Sequence, residues 1–554
     1  MSLPPVSETA PCANIARHLS EMAARQPDRA ALKVPRGRSA KGEIDYLALT
    51  FRELERDVDA WCDRLRRKGV RRGDRTLVMV RQGLPLIASA FALFKIGAVP
   101  VLIDPGMGLR SFLNCVQRSQ PRALVGVPLA QIVSRIALRS FSSVQIRIGA
   151  QSALDARLPS QRLGAPSPVV VSPNVGADEL AAILFTSGST GKPKGVCYEH
   201  GMFDAQIRAI RATYGIEPGE IDLPMLPIFA LFNPALGMTT IVPEIDPRRP
   251  AAVDPAKIIQ AIRQENVTNS FGSPTLWQKI GKHCIATNVT LPGLRRVLCA
   301  GAAVPGSLWE SARSWMPNGQ LHSPYGATEA LPVSTISSIE MSRVHGSGAC
   351  VGQPVACVEV KIIEPTDRPI AELSNTSELA PQRIGEIIVS GPMVTKLYDA
   401  APEATAAAKI QDDAGSTVWH RMGDCGYLDE EGRLWFCGRR VERVETAEAT
   451  LYTEPCEQVF RKHPIVGRCA LIGLGAHGAQ QPAIIVETAA REEHELQRFA
   501  NELRSLARST HETTAITRFY FHPKFPVDVR HNAKIHRLQL ARWALSARAY
   551  DTTR

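Results

Sequence analysis

The stretch that most constrains this chain is Ala181–Gly195, which reads AAILFTSGSTGKPKG. Ala181–Phe185 is an apolar run of strand length. Behind it come Thr186, Ser187, Gly188, Ser189, Thr190 and Gly191, then Lys192, Pro193, Lys194 and Gly195. Glycines let the backbone approach an anion closely, and the free N–H groups of such a turn form an anion-binding nest. Hydroxyls and two lysines add donors and positive charge at the same point, so the stretch suits the phosphates of a nucleotide. It is not a Walker A loop. Gly188 and Gly191 have two residues between them rather than four, and Pro193 follows Lys192 where Ser or Thr is needed.

At 554 residues the chain exceeds one ordinary core, so two or more domains are expected. Its 44% hydrophobic and 21% charged content is that of a globular protein. The most apolar window, Pro85–Asp104, is interrupted by Lys95, Gly97 and Pro100, and reads as a buried helix and strand rather than a membrane span. The N-terminus lacks the basic-then-apolar pattern of a signal peptide. Twelve cysteines are scattered without a C-x-x-C pair, which indicates neither a disulfide framework nor a zinc site. A cytoplasmic location is expected. The net charge is +11, densest at Arg64, Arg66, Arg67, Lys68, Arg71, Arg72 and Arg75. That run reads as the solvated face and end of one helix, with no nucleic-acid motif beside it.

Residues 13–30 have the spacing of an amphipathic helix. Thr50, with Glu53 three positions on, reads as a capping residue. A strand over Thr76–Val80, a helix over Leu84–Lys95 and a strand over Val99–Ile103 follow, which argues for parallel sheet with crossover helices. Ser152–Gly176 is polar and Pro-rich, a connection. Pro224–Glu244, dense in Phe229, Leu231, Phe232, Leu236 and Met238 and free of charge before its last residue, predicts a buried helix.

Ser323-Pro324-Tyr325-Gly326-Ala327-Thr328-Glu329 offers an aromatic face for a base, a hydroxyl for a phosphate and a carboxylate for magnesium, which favours one or two carboxylates plus substrate oxygens. Asp424, in Gly423-Asp424-Cys425-Gly426, suits a pair of ribose hydroxyls, with Arg439 to assist. Gly473-Leu474-Gly475-Ala476-His477-Gly478 matches G-x-G-x-x-G, but Pro482–Val486 behind it reads as strand, so the dinucleotide interpretation fails and a turn is expected.

Together these segments resemble the adenylate-forming superfamily of acyl-CoA synthetases, peptide-synthetase adenylation domains and luciferases, over roughly residues 14–545. The resemblance implies an α/β fold: a large N-terminal domain of parallel sheets with crossover helices (1–438) and a small mobile α+β C-terminal domain (439–554). It implies ATP and Mg²⁺ as cofactors. Thr186, Ser187, Gly188, Ser189, Thr190, Gly191 and Lys194 would hold phosphates. Gly301, Ala302, Ala303, Ser323, Tyr325, Gly326, Thr328, Asp424 and Arg439 would complete the nucleotide site. Glu329 would be the metal ligand, and Phe229, Phe232, Asn233, Leu236 and Gly272 would line the acyl pocket. Lys534, in PVDVRHNAKIHR, matches the family's terminal lysine, which with Glu329 and Thr328 makes the catalytic set.

Two departures matter. Thiol-transferring members carry Gly-Gly about eight residues beyond the Gly-Arg pair, where this chain has Ala447 and Glu448, and Val441 stands at the usual polar hinge. The strings PVLIDPGMG, IFALFNPALG, RMGDCGYLDEEGRLWFCGRR and FPVDVRHNAKI are similar to the β-lactone-forming branch of bacterial long-chain olefin biosynthesis. That branch implies a 2-alkyl-3-hydroxy fatty acid as substrate and assembly with a reductase and a β-lactone decarboxylase. A fatty-acyl-CoA or acyl-AMP ligase, and a silent scaffold in a multienzyme assembly, are the other two readings.

Overall fold

The computed structural model describes residues 13–150, 173–186, 193–246, 252–489, 492–528 and 534–552. The first sheet runs, edge to edge, Ile146–Gly149, Ala123–Gly126, Arg75–Met79, Val99–Ile103, Leu180–Thr186 and Lys194–Glu199. Every pair is parallel except the last, which is an antiparallel hairpin. Parallel neighbours require crossovers, and Leu84–Lys95, Leu109–Ser119 and Pro128–Ile136 supply them. The Leu84–Lys95 helix has the expected bounds; Gly83 and the turn at Gly97, both at positive φ, punctuate it. Thr50 and Glu53 form the expected capping box at the head of the Phe51–Arg67 helix. The 13–30 helix is shorter than its pattern, Arg17–Arg25.

The second sheet has a parallel centre of Thr239–Ile241, Ile221–Pro224, Asn269–Gly272, Arg296–Cys299 and Gln320–Ala327. From Gln320–Ala327 it continues through Ala330–Ser337, Ala349–Pro354, Leu434–Arg439, Val418–Leu428, Gly385–Ser390 and Glu359–Ile363, antiparallel at each step. One apolar cluster joins the helices Phe51–Arg67, Leu84–Lys95 and His200–Tyr214 to both sheets. Leu84–Lys95 is buried all round, as a helix packed between two sheets must be.

Pro224–Glu244 is not one helix. A 3₁₀ turn, Pro227–Leu231, and a single helical turn, Asn233–Leu236, precede the strand Thr239–Ile241. Pro227 and Pro234 each start a short turn because they lack the N–H a continuing helix needs, and Gly237 at φ +75° ends the second.

Beyond residue 443 a four-stranded sheet, Cys469–Leu474, Gln481–Glu487, Arg518–His522 and Tyr550–Asp551, packs with Thr453–Arg461, Glu493–Ala507 and Arg537–Ala544. Its two apolar clusters draw only on residues 444–550, so this part has a core of its own. Gly475 and Gly478, both at positive φ, sit in the hairpin between the first two strands, which makes the G-x-G-x-x-G match a turn.

A buried polar trio lies beneath the Asn233 turn. The Asn233 amide donates to Asp222 Oδ2 (2.9 Å) and to Thr240 Oγ1 (3.0 Å). Burial pushes the Asp222 carboxyl up to about 7. The folded state therefore keeps this proton where the unfolded chain has released it. The stabilisation is present below the ordinary carboxylate range and is lost as pH rises toward and through about 7. Asp222→Asn is expected to raise the melting temperature relative to the parent at about pH 8, with the difference vanishing near pH 4. Thermal melts across that range check it, and a pH-independent difference would refute it.

Candidate active site

In open α/β sheets ligands settle beyond the carboxyl ends of the parallel strands. Here those ends carry the residues singled out in the sequence. Gly272 ends one strand, Ala300–Ala303 follow the next, and Gly326–Glu329 turn the third into Ala330–Ser337. That last turn is tight: a Cβ on Gly326 would lie 2.6 Å from the Ala330 carbonyl oxygen, so glycine is needed there. Gly301, at φ +97°, makes the bend after Arg296–Cys299.

From the first sheet, the Leu180–Thr186/Lys194–Glu199 hairpin pairs Thr186 with Lys194 and brings both ends of the phosphate stretch together. Ser187, Gly188, Ser189, Thr190 and Gly191 lie outside the described residues, as do Asn532 and Ala533. Gly195 is fixed by packing, since a Cβ there would meet the Phe185 ring at 2.7 Å.

A segment the sequence did not single out docks on this hairpin. The Asp399 N–H donates to the Gly195 carbonyl (2.7 Å), and Val196 bridges Tyr398. Tyr398 is thereby placed between the two sheets' contributions. Its hydroxyl donates to Glu329 Oε1 at 2.7 Å, and its ring lies 4.9 Å from Lys194 Nζ. Burial, then the Glu329 charge, keeps the Tyr398 phenol protonated. Among the described residues no hydrogen bond reaches the other Glu329 oxygen. Lys409 lies behind: its ammonium, buried, donates to the Thr395 carbonyl and lies 3.3 Å from Thr395 Oγ1, while the Thr395 N–H donates to the Glu329 carbonyl (2.9 Å). Burial lowers the Lys409 pKa to about 7, with Glu329 opposing and Lys194 adding to that shift. Tyr198 donates to the Thr328 carbonyl. Thr328 and Glu329 are thus held by three neighbouring side and main chains.

The antiparallel pairing of Val418–Leu428 with Leu434–Arg439 sets Asp424 opposite Arg439. The Arg439 guanidinium lies 2.7 Å from Asp424 Oδ1, and the Tyr325 hydroxyl donates to Oδ2 at 2.7 Å. Burial raises the Asp424 pKa, and Arg439, Tyr325 and Lys534 pull it back. Lys534 is thus one of the charges that favour the ionised form of Asp424. Its backbone is pinned by Asp528, whose Oδ1 accepts from the Lys534 N–H at 2.8 Å. Three residues on, the half-buried Arg537 is clamped by Glu457 (2.8 Å) and Glu442 (3.0 Å), which joins the Lys534 segment to the one following Arg439.

The aromatic side is built from Phe229, stacked on Phe271 at 3.6 Å between centroids, and Phe232, stacked on Phe203 at 5.0 Å. Phe229 shares its cluster with Leu226, Phe271 and Ala300, next to Gly301. Of the other pocket candidates, Asn233 and Leu236 are turned to other partners, and Gly272, at the strand end beside Phe271, leaves no room for a side chain. The Asn233 amide is spent on Asp222 and Thr240, Leu236 is buried in the main core, and Gly272 is walled by Met225 and Trp277.

Asp424 has lone pairs beyond those Tyr325 and Arg439 use, as a ligand with vicinal hydroxyls requires. Glu329, with one oxygen engaged by a neutral hydroxyl donor, keeps a hard oxygen of the kind magnesium prefers. The donor set fits a magnesium–nucleotide complex.

The sequence model described as AMP-binding enzyme matches residues 19–399. The chain is 45% identical to the olefin beta-lactone synthetase of Stenotrophomonas maltophilia, over 96% of this chain and 98% of that one. It is 43% identical to the olefin beta-lactone synthetase of Xanthomonas campestris, over 97% and 98%. The fold superposes on the O-succinylbenzoate coenzyme A synthetase of Bacillus subtilis, solved with ATP and magnesium ion, with TM-score 0.74 at 23% identity, covering 94% of this chain and 98% of that one. Strand ends carrying the residues singled out in the sequence, the adenylating-enzyme fold and whole-chain similarity to two synthetases agree: the chain belongs to the AMP-binding enzyme family, whose members form adenylates from ATP.

Proposed function

We propose that this enzyme is an ATP-dependent β-lactone synthetase that activates a 2-alkyl-3-hydroxy fatty acid and closes it onto its own hydroxyl, in the assembly of long-chain olefins. The observation that carries this reading is the end-to-end 45% identity to the olefin beta-lactone synthetase of S. maltophilia. Two features of the chain support it. Ala447 and Glu448 form the exposed tip of a turn closed by Thr446, a shape with no glycine cleft for a thiol arm. Phe229 and Phe232 offer half-buried apolar surface for alkyl chains.

In the first step a carboxylate oxygen of the acid attacks the α-phosphorus of ATP, the α–β P–O bond breaks, and pyrophosphate leaves. Lys534 supplies positive charge as negative charge gathers on the α-phosphate, while Asp424, backed by Tyr325 and Arg439, holds the ribose. Lys194 and the Thr186–Gly191 stretch hold the phosphates, and Thr328 assists them. Glu329 is the residue to hold a magnesium ion, which when bound offsets the charge of the triphosphate. In the second step the 3-hydroxyl oxygen attacks the acyl carbon, the bond to AMP breaks, and the hydroxyl proton passes to a phosphate oxygen of the departing AMP. Residues 1–438 and 439–554 act as two domains, the smaller carrying Lys534 to the larger. A reductase that makes the hydroxy acid and a decarboxylase that consumes the lactone are the partners this chemistry asks for.

Purified enzyme with MgATP and a synthetic 2-alkyl-3-hydroxy acid is expected to give β-lactone and AMP in equal amounts without coenzyme A, read by NMR and mass spectrometry. A thioester formed only when coenzyme A is added would replace this reading with an acyl-CoA ligase. No AMP with any acid would leave a scaffold.

A further inference from the structure

The helix Pro128–Ile136 turns its aliphatic side to water. The positions that face the core are Ala130 and Ser134, both buried. Leu129, Ile132 and Ile136, spaced three and four apart along one face, are 66%, 53% and 76% exposed, and Leu138 in the following turn is 68% exposed. A surface helix of a globular protein ordinarily buries such a stripe, and a contiguous exposed patch of this kind marks an interaction site. The neighbouring helix Leu109–Ser119 shares its packing through Phe112 and Leu113, which join Val133 and Ala137 on one cluster, and it begins with the exposed Leu109.

The charge along this stretch of chain is one-sided. Between residues 105 and 154 the sequence has six arginines, no lysine, and no aspartate or glutamate. Three of the arginines serve the fold: Arg118 donates to the Pro193 carbonyl, Arg122 pairs with Asp74, and Arg147 donates to the Val144 carbonyl. Arg110, Arg135 and Arg139 are exposed, and Arg135 donates to the Gln131 carbonyl of its own helix.

We propose that this helix docks the enzyme on an anionic lipid surface, with Leu129, Ile132, Ile136 and Leu138 entering the headgroup–acyl boundary and Arg110, Arg135 and Arg139 meeting lipid phosphates. The chemistry favours lipid over protein. Protein interfaces concentrate their energy in aromatic and arginine anchors seated in fitted pockets. A smooth Leu/Ile stripe rimmed by arginine needs only apolar depth and negative charge. The inference is independent of which acid the enzyme activates.

The test is co-sedimentation of the full-length enzyme with vesicles of phosphatidylcholine alone and of phosphatidylcholine mixed with phosphatidylglycerol. The parent is expected to sediment with the mixed vesicles. The double variant Ile132→Glu/Ile136→Glu is expected to lose about tenfold or more in partitioning, and Arg135→Glu/Arg139→Glu a similar amount. Arg66→Glu/Lys68→Glu, at the end of the Phe51–Arg67 helix and outside the proposed face, is expected to bind like the parent. Parent enzyme that ignores anionic vesicles overturns the proposal, as does equal loss in the control, which would mean adsorption by diffuse charge. Analytical ultracentrifugation and melting complete it. A dimer abolished by Ile132→Glu/Ile136→Glu assigns the face to a second copy. A melting temperature lowered by about 5 °C or more means that the chain covers the face itself, and either result overturns the proposal.

Discussion

Lys534→Ala is expected to slow acyl-adenylate formation about 10²–10³-fold, the usual cost of removing a preorganised charge from a developing oxyanion. The expectation follows from where the side chain is and what holds it. Lys534 is exposed, beside the isolated bridge of Val527 with Ile535, and its backbone is tied to Asp528, so truncation removes no core packing, and the melting temperature should not move. Its charge acts on Asp424, the carboxylate proposed to hold the ribose. An interaction made mainly in the transition state lowers kcat and kcat/KM together and leaves KM for ATP nearly unchanged. Pyrophosphate release in single turnover reads the first step. Supplying a synthetic acyl adenylate then reads the second, and there the variant should close the lactone at a rate within a few-fold of the parent. Equal losses in both steps would make Lys534 part of the ring-closing machinery, and a change under about threefold in the first would remove it from catalysis.

The sequence was most legible where punctuation and periodicity coincide. Leu84–Lys95 and Val99–Ile103 have their predicted bounds because Gly83, Gly97 and the Asp104-Pro105 turn leave no other place to stop. Thr50 caps its helix because both halves of the box lie within four residues of chain. Pro224–Glu244 misled because its apolar density was read without the two prolines that divide it. Asn233 and Leu236 look like pocket residues beside Phe229 and Phe232, but the Asn233 amide is spent on buried Asp222 and Thr240, and Leu236 is buried in the main core that Phe232 borders. Nothing local distinguishes Tyr398 or Lys409. The first contacts a carboxylate 69 positions earlier in the chain, and the second is a lone lysine between Ala408 and Ile410. Only the docking of 395–399 against the Lys194–Glu199 strand gives them a role.

That docking carries the second large expectation. Glu329→Gln keeps the shape and removes the charge that a magnesium ion would meet, and it should lower kcat/KM for ATP about 10²-fold or more. Lys409→Met keeps the length and apolar bulk of a buried side chain but withdraws its bond to the Thr395 carbonyl. Thr395 supports the Glu329 backbone, and Tyr398 supports its carboxylate. The lysine variant should therefore shift the half-saturating magnesium concentration upward about tenfold, with a smaller loss at saturating metal, whereas Glu329→Gln should not recover at any magnesium concentration. The two sites belong to one network, so the double variant should be no slower than Glu329→Gln alone, a departure from additivity that a double-mutant cycle measures. A lysine only filling the core would behave otherwise. Lys409→Met would then lower the melting temperature, leave the magnesium dependence where it was, and add its full effect to that of Glu329→Gln.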